Sequence, residues 1–424
     1  MRKNSVFLIT VIVLGFLRPA STARADELSE LKQQVETQNM TLSQLQQRIA
    51  GLEAEKKEGI VLPGSLNWAE KIKISGDFRY RHDHTDKEDM SGGWENGVDR
   101  HRVRARLMID AIINGDWDVA VRIASGSGTS GNSDTASPIS TNQDLEDAFS
   151  SKHLWLDLAF FKWHPAAKEG LNVFGGKMKN PFYRVGKSQL IWDGDLNPEG
   201  IAVQYARPLS DVDKISLRAG GFWVDESGGG VDTSLWGAQA HLKHTIGKPD
   251  YVIAGMGYYD YGNLEGRGAL STTYSATENF YGNTNTGAGG VYSRDYDILE
   301  VFGEYGFEYA GRPLAVFANL VQNTAVGTKD TGWLIGGKLN KAKAPGSWQL
   351  SYDYRDLEAD AVVGGFTESD FLSSRTESRG HKFAFQYQLA KNLRAGLVYY
   401  HLQDNSGTRD LDYRRLQTSL IFKF

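Results

Sequence analysis

The stretch "DRHRVRARLMIDA", Asp99 to Ala111, carries an arginine at every second position: Arg100, Arg102, Arg104 and Arg106. Between them stand His101, Val103, Ala105 and Leu107, and Ile109 and Ala111 continue that set. A period of two is the period of a β-strand, whose side chains alternate between two faces. As a strand, the segment has one cationic face and one mostly aliphatic face. As a helix it would spread arginines around the cylinder and bury nothing. The fold must therefore offer water to one face and an apolar medium to the other.

The rest of the chain narrows the choice. Its 424 residues suffice for two or three soluble domains or one large barrel. It has no cysteine, which excludes disulfides, thiol catalysis and Cys-ligated metals. Nineteen Tyr, 19 Phe, 10 Trp and 47 Gly favour an all-β protein. At the N-terminus, Arg2 and Lys3 precede a mostly apolar run, Val6 to Leu17, and Ala23-Arg24-Ala25 reads as a cleavage site. Residues 1–25 are therefore expected to be a signal peptide, too short in its apolar run to span a membrane, which takes about 20 residues. Its removal takes away four bases and no acid, leaving 43 bases against 52 acids, a net charge of −9. An acidic chain of this kind is no general nucleic-acid binder.

Residues 26–58 carry a heptad. Leu28, Val35, Leu42 and Ile49 occupy a; Leu31, Gln38, Leu45 and Leu52 occupy d. The spacing predicts a coiled coil between chains, with a single amphipathic helix as the alternative. Pro63 and its flanking glycines mark residues 59–70 as a linker. From residue 71 to 424 the period changes to two, and we read sixteen strands. The first spans Lys71–Arg81; the second is the opening stretch; the third is Trp117–Ala124. The others run near 153–163, 170–178, 200–206, 214–224, 234–245, 250–261, 296–309, 313–323, 331–341, 347–356, 380–390, 392–403 and 413–424.

Long polar connections, such as 125–152, 179–199, 262–295 and 357–379, follow odd-numbered strands. Tight turns, such as Asn114-Gly115-Asp116 and Lys391-Asn392, follow even-numbered ones. That asymmetry points to a transmembrane antiparallel β-barrel in a bacterial outer membrane, with lipid outside and water within. An even strand count places both termini, and the coiled coil, in the periplasm. Tyr80, Trp117, Trp163, Trp223, Trp236 and Trp333 lie near strand ends, where interfacial girdles form. In the final "RLQTSLIFKF", Leu416, Leu420, Phe422 and Phe424 alternate, and Leu420, Phe422 and Phe424 form the signal that barrel-assembly machinery would read.

At this point the sequence resembles the putative-porin families of Gram-negative bacteria that carry a short coiled coil before the barrel. The resemblance rests on "GGKMKNPFYRV", "LIWDGDLNPEGIAVQYA", "YDYRDLEADAVVGGF" and the final "FKF". It implies a homotrimer of water-filled channels for passive diffusion of small hydrophilic solutes and ions. It also implies that the loop after the fifth strand, 179–199, folds into the lumen as a constriction. That loop carries Lys179, Arg184, Lys187, Asp193, Asp195 and Glu199.

Two charge ladders follow from strand parity. Arg79, Arg81, Arg102, Arg104, Arg106 and Arg122 form a basic one on the first three strands. Glu300, Glu304 and Glu308 form an acidic one on the tenth. Strands two and ten stand across a sixteen-strand barrel, so the expected device is a transverse field across the pore. The alternative is that lumen charges pair with neighbouring strands. An anion-selective, phosphate-type porin and a tether from outer membrane to cell wall are the nearest other functions. His82 and His84 share a face where the first loop is expected to begin, but no third ligand is fixed, so no metal is assigned. No G-x-S-x-G and no P-loop occur, and no enzyme activity or cofactor is expected.

Overall fold

A computed structural model describes residues 32–45, 47–48 and 64–424, except 130–131, 147, 227, 271–279 and 288–289. The expected signal peptide, 1–25, lies outside the described residues. The chain divides into two units, Met1–Asn67 and Trp68–Phe424. In the first, residues 32–45 and 47–48 are helical, with every described side chain exposed. Val35, Leu42 and Leu45 of the expected seam are thus uncovered. Leu28, Leu31, Ile49 and Leu52 lie outside the described residues.

The second unit is a closed antiparallel sheet. Its strands begin with β1 (Ile72–Lys87), β2 (Val98–Ile112) and β3 (Trp117–Ser125). A long connection then holds three short pieces, β4 (Gly128–Thr129), β5 (Asn132–Ala136) and β6 (Gln143–Asp144). There follow β7 (Leu154–Trp163), β8 (Leu171–Lys177), β9 (Glu199–Pro208), β10 (Asp213–Asp225), β11 (Thr233–Gly247) and β12 (Asp250–Gly262). The circuit ends with β13 (Tyr296–Tyr309), β14 (Arg312–Asn323), β15 (Thr331–Leu339), β16 (Trp348–Leu357), β17 (Ser378–Ala390), β18 (Leu393–Asp404) and β19 (Leu411–Lys423). Sixteen of these form the barrel wall, each paired with its neighbours in sequence, and β1 pairs with both β2 and β19. The small β6 adds a seventeenth strand, paired with β2 at Arg102↔Asp144 beyond the reach of β3. β4 and β5 make a separate hairpin, where the sequence reads as plain loop.

Alternation sorts the faces. On β1, Phe78 and Tyr80 are exposed outside, whereas Arg79 and Arg81 are buried inside. The outer wall carries Trp223, Trp236, Ile335 and Leu350, all exposed, an apolar belt of the kind lipid requires. β1 runs six residues past the expected end at Arg81, so His82 and His84 lie on a strand and not in a loop. They meet Asp99 of β2 on the outer face at 3.1 and 2.9 Å. The two rims differ less sharply than the sequence suggests. One has connections of two to eight residues, the other of six to 33. We refer to them as the turn end and the loop end.

Closure rests on the last residue. The Gly76 N–H donates to the Phe424 carbonyl at 3.0 Å and the Phe424 N–H donates back at 3.2 Å. Phe422 packs on Phe78 with ring centroids 6.0 Å apart. A Cβ at Gly76 would strike the backbone carbonyl of Arg106 on β2 as well as the Phe424 ring. Gly76→Val should therefore force β1 away from both β2 and β19 and impede closure of the barrel. Its heat-modifiable gel band, the mark of a closed barrel, is expected to fall severalfold relative to wild type. An unchanged band would refute this account of the seam.

Candidate functional site

The inward face is only partly open, because two loops fold back into the barrel. The first, residues 178–198 between β8 and β9, is a strap across the lumen. Its Phe182, Val185, Leu190, Ile191 and Trp192 are buried against Phe222, Tyr259, Phe302, Phe317 and Leu334 of the wall. Each large apolar side chain so covered contributes about 1.5–3 kcal/mol. Polar contacts then set the register. The Gln239 side chain accepts the Tyr183 N–H at 2.7 Å and donates to its carbonyl at 2.9 Å. The Gly186 N–H donates to Glu304 at 3.1 Å, and the Lys338 ammonium donates to the Gly186 carbonyl. Gly186 has φ +53° and the Phe317 ring against its Cα, so only glycine fits.

The strap's far end reaches the arginines. Asp195 lies 3.0 Å from Arg106 and 4.0 Å from Arg104. Both arginines also hold Asp77 of β1, at 2.8 and 2.7 Å. The second loop, 358–377, docks beside it. Asp370 bonds Arg81 at 2.9 Å and Arg415 at 3.1 Å, and Glu368 bonds Lys382 and accepts from the Tyr400 hydroxyl. The fully buried Arg355 guanidinium sits 3.3 Å above the Phe371 ring. The loops also bond each other: the Ser369 N–H donates to Asp193 and the Asp193 N–H to the Phe366 carbonyl, both at 2.7 Å.

This arrangement corrects the picture of two facing ladders. Glu300 is 3 % exposed, covered by the strap, and accepts hydrogen bonds from Tyr259, Asn319 and Gln239. Glu304 is taken by Gly186 and Tyr251. Glu308 is exposed at the turn end of β13. No acidic ladder faces the arginines across open water, because the strap lies over it. The inward arginines themselves are largely paired. Arg102 bonds Asp144 and lies 3.6 Å from Asp83; Arg122 bonds Asp157. Arg79 differs: its partner is the neutral Asn142.

The remaining expected residues are placed as follows. Lys179 is exposed to the lumen. Arg184 donates to the Trp192 carbonyl at 3.2 Å. Lys187 is exposed on the strap. Glu199 is no loop residue: it opens β9 and pairs with Lys177 at 2.7 Å. Leu420, Phe422 and Phe424 all face outward. The sequence marks the second loop only as the long connection 357–379, with no inward role, and does not point to its partners Lys382 and Arg415. The buried run Ala361-Val362-Val363, apolar in a long connection, is the signal that would have found the loop.

Between the strap and the turn end lies a cavity of about 910 Å³. Eleven cationic and five acidic side chains line it. Of the cations, Arg81 and Lys382 have carboxylates within 4.0 Å. Among the described residues, Arg79, Arg184, Lys187, Lys338 and Lys341 have none, nor do Lys343, Lys391, Arg394 and Lys423. Only Asp193 and Asp353 among the acids lack a cation at that distance.

A sixteen-strand barrel with an inward loop and a charged cavity matches a known architecture. The family model described as "putative porin" matches residues 93–289 and 299–417. The chain belongs to that family. Among solved structures, this porin is similar to OprB of Pseudomonas putida, with 12 % identity and TM-score 0.54, over 84 % of this chain and 95 % of that one. It is also similar to OmpF of Salmonella typhi, solved with daunomycin, with 11 % identity and TM-score 0.50, over 83 % and 97 %. At those identities the likeness speaks for the fold. No curated sequence matches the chain. The family and the barrel together make the porin an outer-membrane channel protein.

The loop carboxyls of the porin differ in charge. Burial, with the Asp195 charge beside it, pushes Asp193 up to about 7. Burial would also raise Asp195 and Asp370, but the arginines outweigh it and hold both below the usual carboxylate range. A depressed carboxyl loses its stabilising charge only as pH falls through its depressed value. Lowering pH from 8 to 6 should therefore leave Asp195 and Asp370 charged and paired with their arginines. Over the same interval Asp193 gains a proton, so the reversal potential in a salt gradient should shift toward anions. Asp193→Asn should remove that shift; a persistent shift would exclude Asp193 as its source.

Proposed function

We propose that the protein is a porin through which small hydrophilic solutes and ions diffuse passively, with a preference for anions. The observation that carries the preference is the cavity lining: nine cations without a carboxylate partner against two acids without a cation. This basic passage sits in a chain of net charge −5, so it is local to the lumen. Fixed charges in a narrow, low-dielectric passage favour counter-ions and exclude co-ions, and they act over a Debye length of about 8 Å at physiological salt. The field is not transverse, because the acidic wall is spent on holding the strap. It runs instead from the strap, with Arg184 and Lys187, to the turn end, with Lys343 and Lys391.

We infer that the turn end faces the periplasm, as short turns do in outer-membrane barrels. The exposed Val35, Leu42 and Leu45 support self-association through a periplasmic coiled coil, in keeping with a homotrimer. The outward Leu420, Phe422 and Phe424 suit recognition by the assembly machinery. The deciding experiment is conductance and reversal potential of the purified protein in planar bilayers. Expected are steps in groups of three and an anion-to-cation permeability ratio above one. Replacing Lys187, Lys338 and Lys341 together by Gln should reduce that ratio severalfold. A cation-selective wild type would overturn the preference, and a folded barrel without conductance would overturn the channel.

A further inference from the structure

Arg79 is the exception among the inward arginines of the first three strands that the sequence singles out. Arg81, Arg102, Arg104, Arg106 and Arg122 each have a carboxylate within 4.0 Å, and among the described residues Arg79 has none. It is nevertheless 8 % exposed, and its buried Nε–H finds no acceptor. A second guanidinium shares that condition. The Nε–H of Arg394, on β18, is buried without an acceptor among the described residues, none of which brings a carboxylate within 4.0 Å of it.

The sheet register brings the two together. Arg79 is paired with Ile421 across β1–β19, and Arg394 is paired with the same Ile421 across β18–β19. The two arginines thus flank one residue of the middle strand. Neighbouring strands lie about 4.8 Å apart, so their Cα atoms are roughly 10 Å apart. Long side chains at that separation can close on one oxyanion from both sides. All three residues line the cavity, with Lys423 next along β19 toward the turn end. On the other side, Gln417 is 1 % exposed, and both its amide oxygen and its amide nitrogen lack partners. The row therefore offers guanidinium donors, an ammonium and a free amide, and the nearest carboxylate along it, Asp77 opposite Lys423, is held by Arg104 and Arg106.

We propose that Arg79 and Arg394 form a clamp for the anionic group, carboxylate or phosphate, of a small solute in transit. Guanidinium groups are suited to this because their N–H donors match the oxygens of both anions. Gln417 would meet a neutral polar part of the same solute. The proposal rests on the channel reading and adds to it: a merely anion-permeable lumen passes ions without saturating, whereas a clamp saturates.

The test uses the full-length protein in planar bilayers carrying a chloride current, with inorganic phosphate or succinate added as blocker. Concentration-dependent block is expected, half-maximal at about 1 mM or below, for one or both anions. Block by only one of them would name which oxyanion the clamp takes. Arg79→Gln and Arg394→Gln should each weaken the block about tenfold or more while chloride still passes. Lys168→Gln, on an exposed turn outside the cavity, should leave it unchanged. Heat-modifiable gel mobility confirms that each variant folds. A chloride current that neither anion blocks would overturn the clamp and leave the channel standing. So would block of wild-type strength in both arginine variants. Should the folded protein not conduct, the channel reading fails. Calorimetric titration of the detergent-solubilised protein with the same two anions then decides the clamp. Binding that Arg394→Gln abolishes supports it, and no binding overturns it.

Discussion

A strand in lipid can satisfy its N–H and C=O groups only against another strand, because the bilayer core holds no water to take them. The sheet must close on itself. Everything else in this porin depends on that requirement. Closure brings β1 against β19, which is why Gly76 lacks a side chain where the Phe424 ring rests. It also fixes which parity of each strand meets lipid and which meets the lumen. A shift of one residue would turn Arg79 and Arg81 into the bilayer and Phe78 and Tyr80 into the pore.

Closure creates a second problem, which the loops resolve. Inward charges sit where the surroundings are neither open water nor apolar core. An unpaired buried charge costs several kcal/mol, and removing one partner of a buried pair costs about 3–5 kcal/mol. The acids that answer the arginines come from the wall, as with Asp77 and Asp157, and from loops, as with Asp144, Asp195 and Asp370. The arginine row is therefore first a docking surface for loops. The apolar strap residues and the Glu300–Gln239–Tyr259 cluster fasten the opposite side. One side of the lumen is packed like a protein core, and the cavity lies on the β14–β19 side, where cations outnumber the carboxylates that could answer them.

Much of this is legible in the residues themselves. Alternation is local, so sixteen strands, the outward aromatic residues and the inward parity of the arginines could be read from spacing alone. Spacing misleads where the deciding neighbour is far away in sequence. Glu300 shares a parity with Glu304 and Glu308, and parity says only that all three leave the lipid side. It cannot say that a loop more than a hundred residues earlier covers Glu300. Glu199 reads as loop because it follows Pro198, yet its pairing with Trp223 of β10 makes it strand. His82 and His84 read as loop because polar residues surround them, although β1 continues there against β2 and β19.

The sequence by itself determined the barrel, because a period-two pattern held for sixteen segments has one apolar face that only lipid can cover. It determined too that one face would be charged. The tertiary structure alone decided which charges remain unanswered. That depends on where the strap and the second loop place Asp195, Glu368 and Asp370, and on a register that sets Arg79 and Arg394 about Ile421. Charge pairing acts over a few ångströms, and distances of that size exist only once the chain has closed.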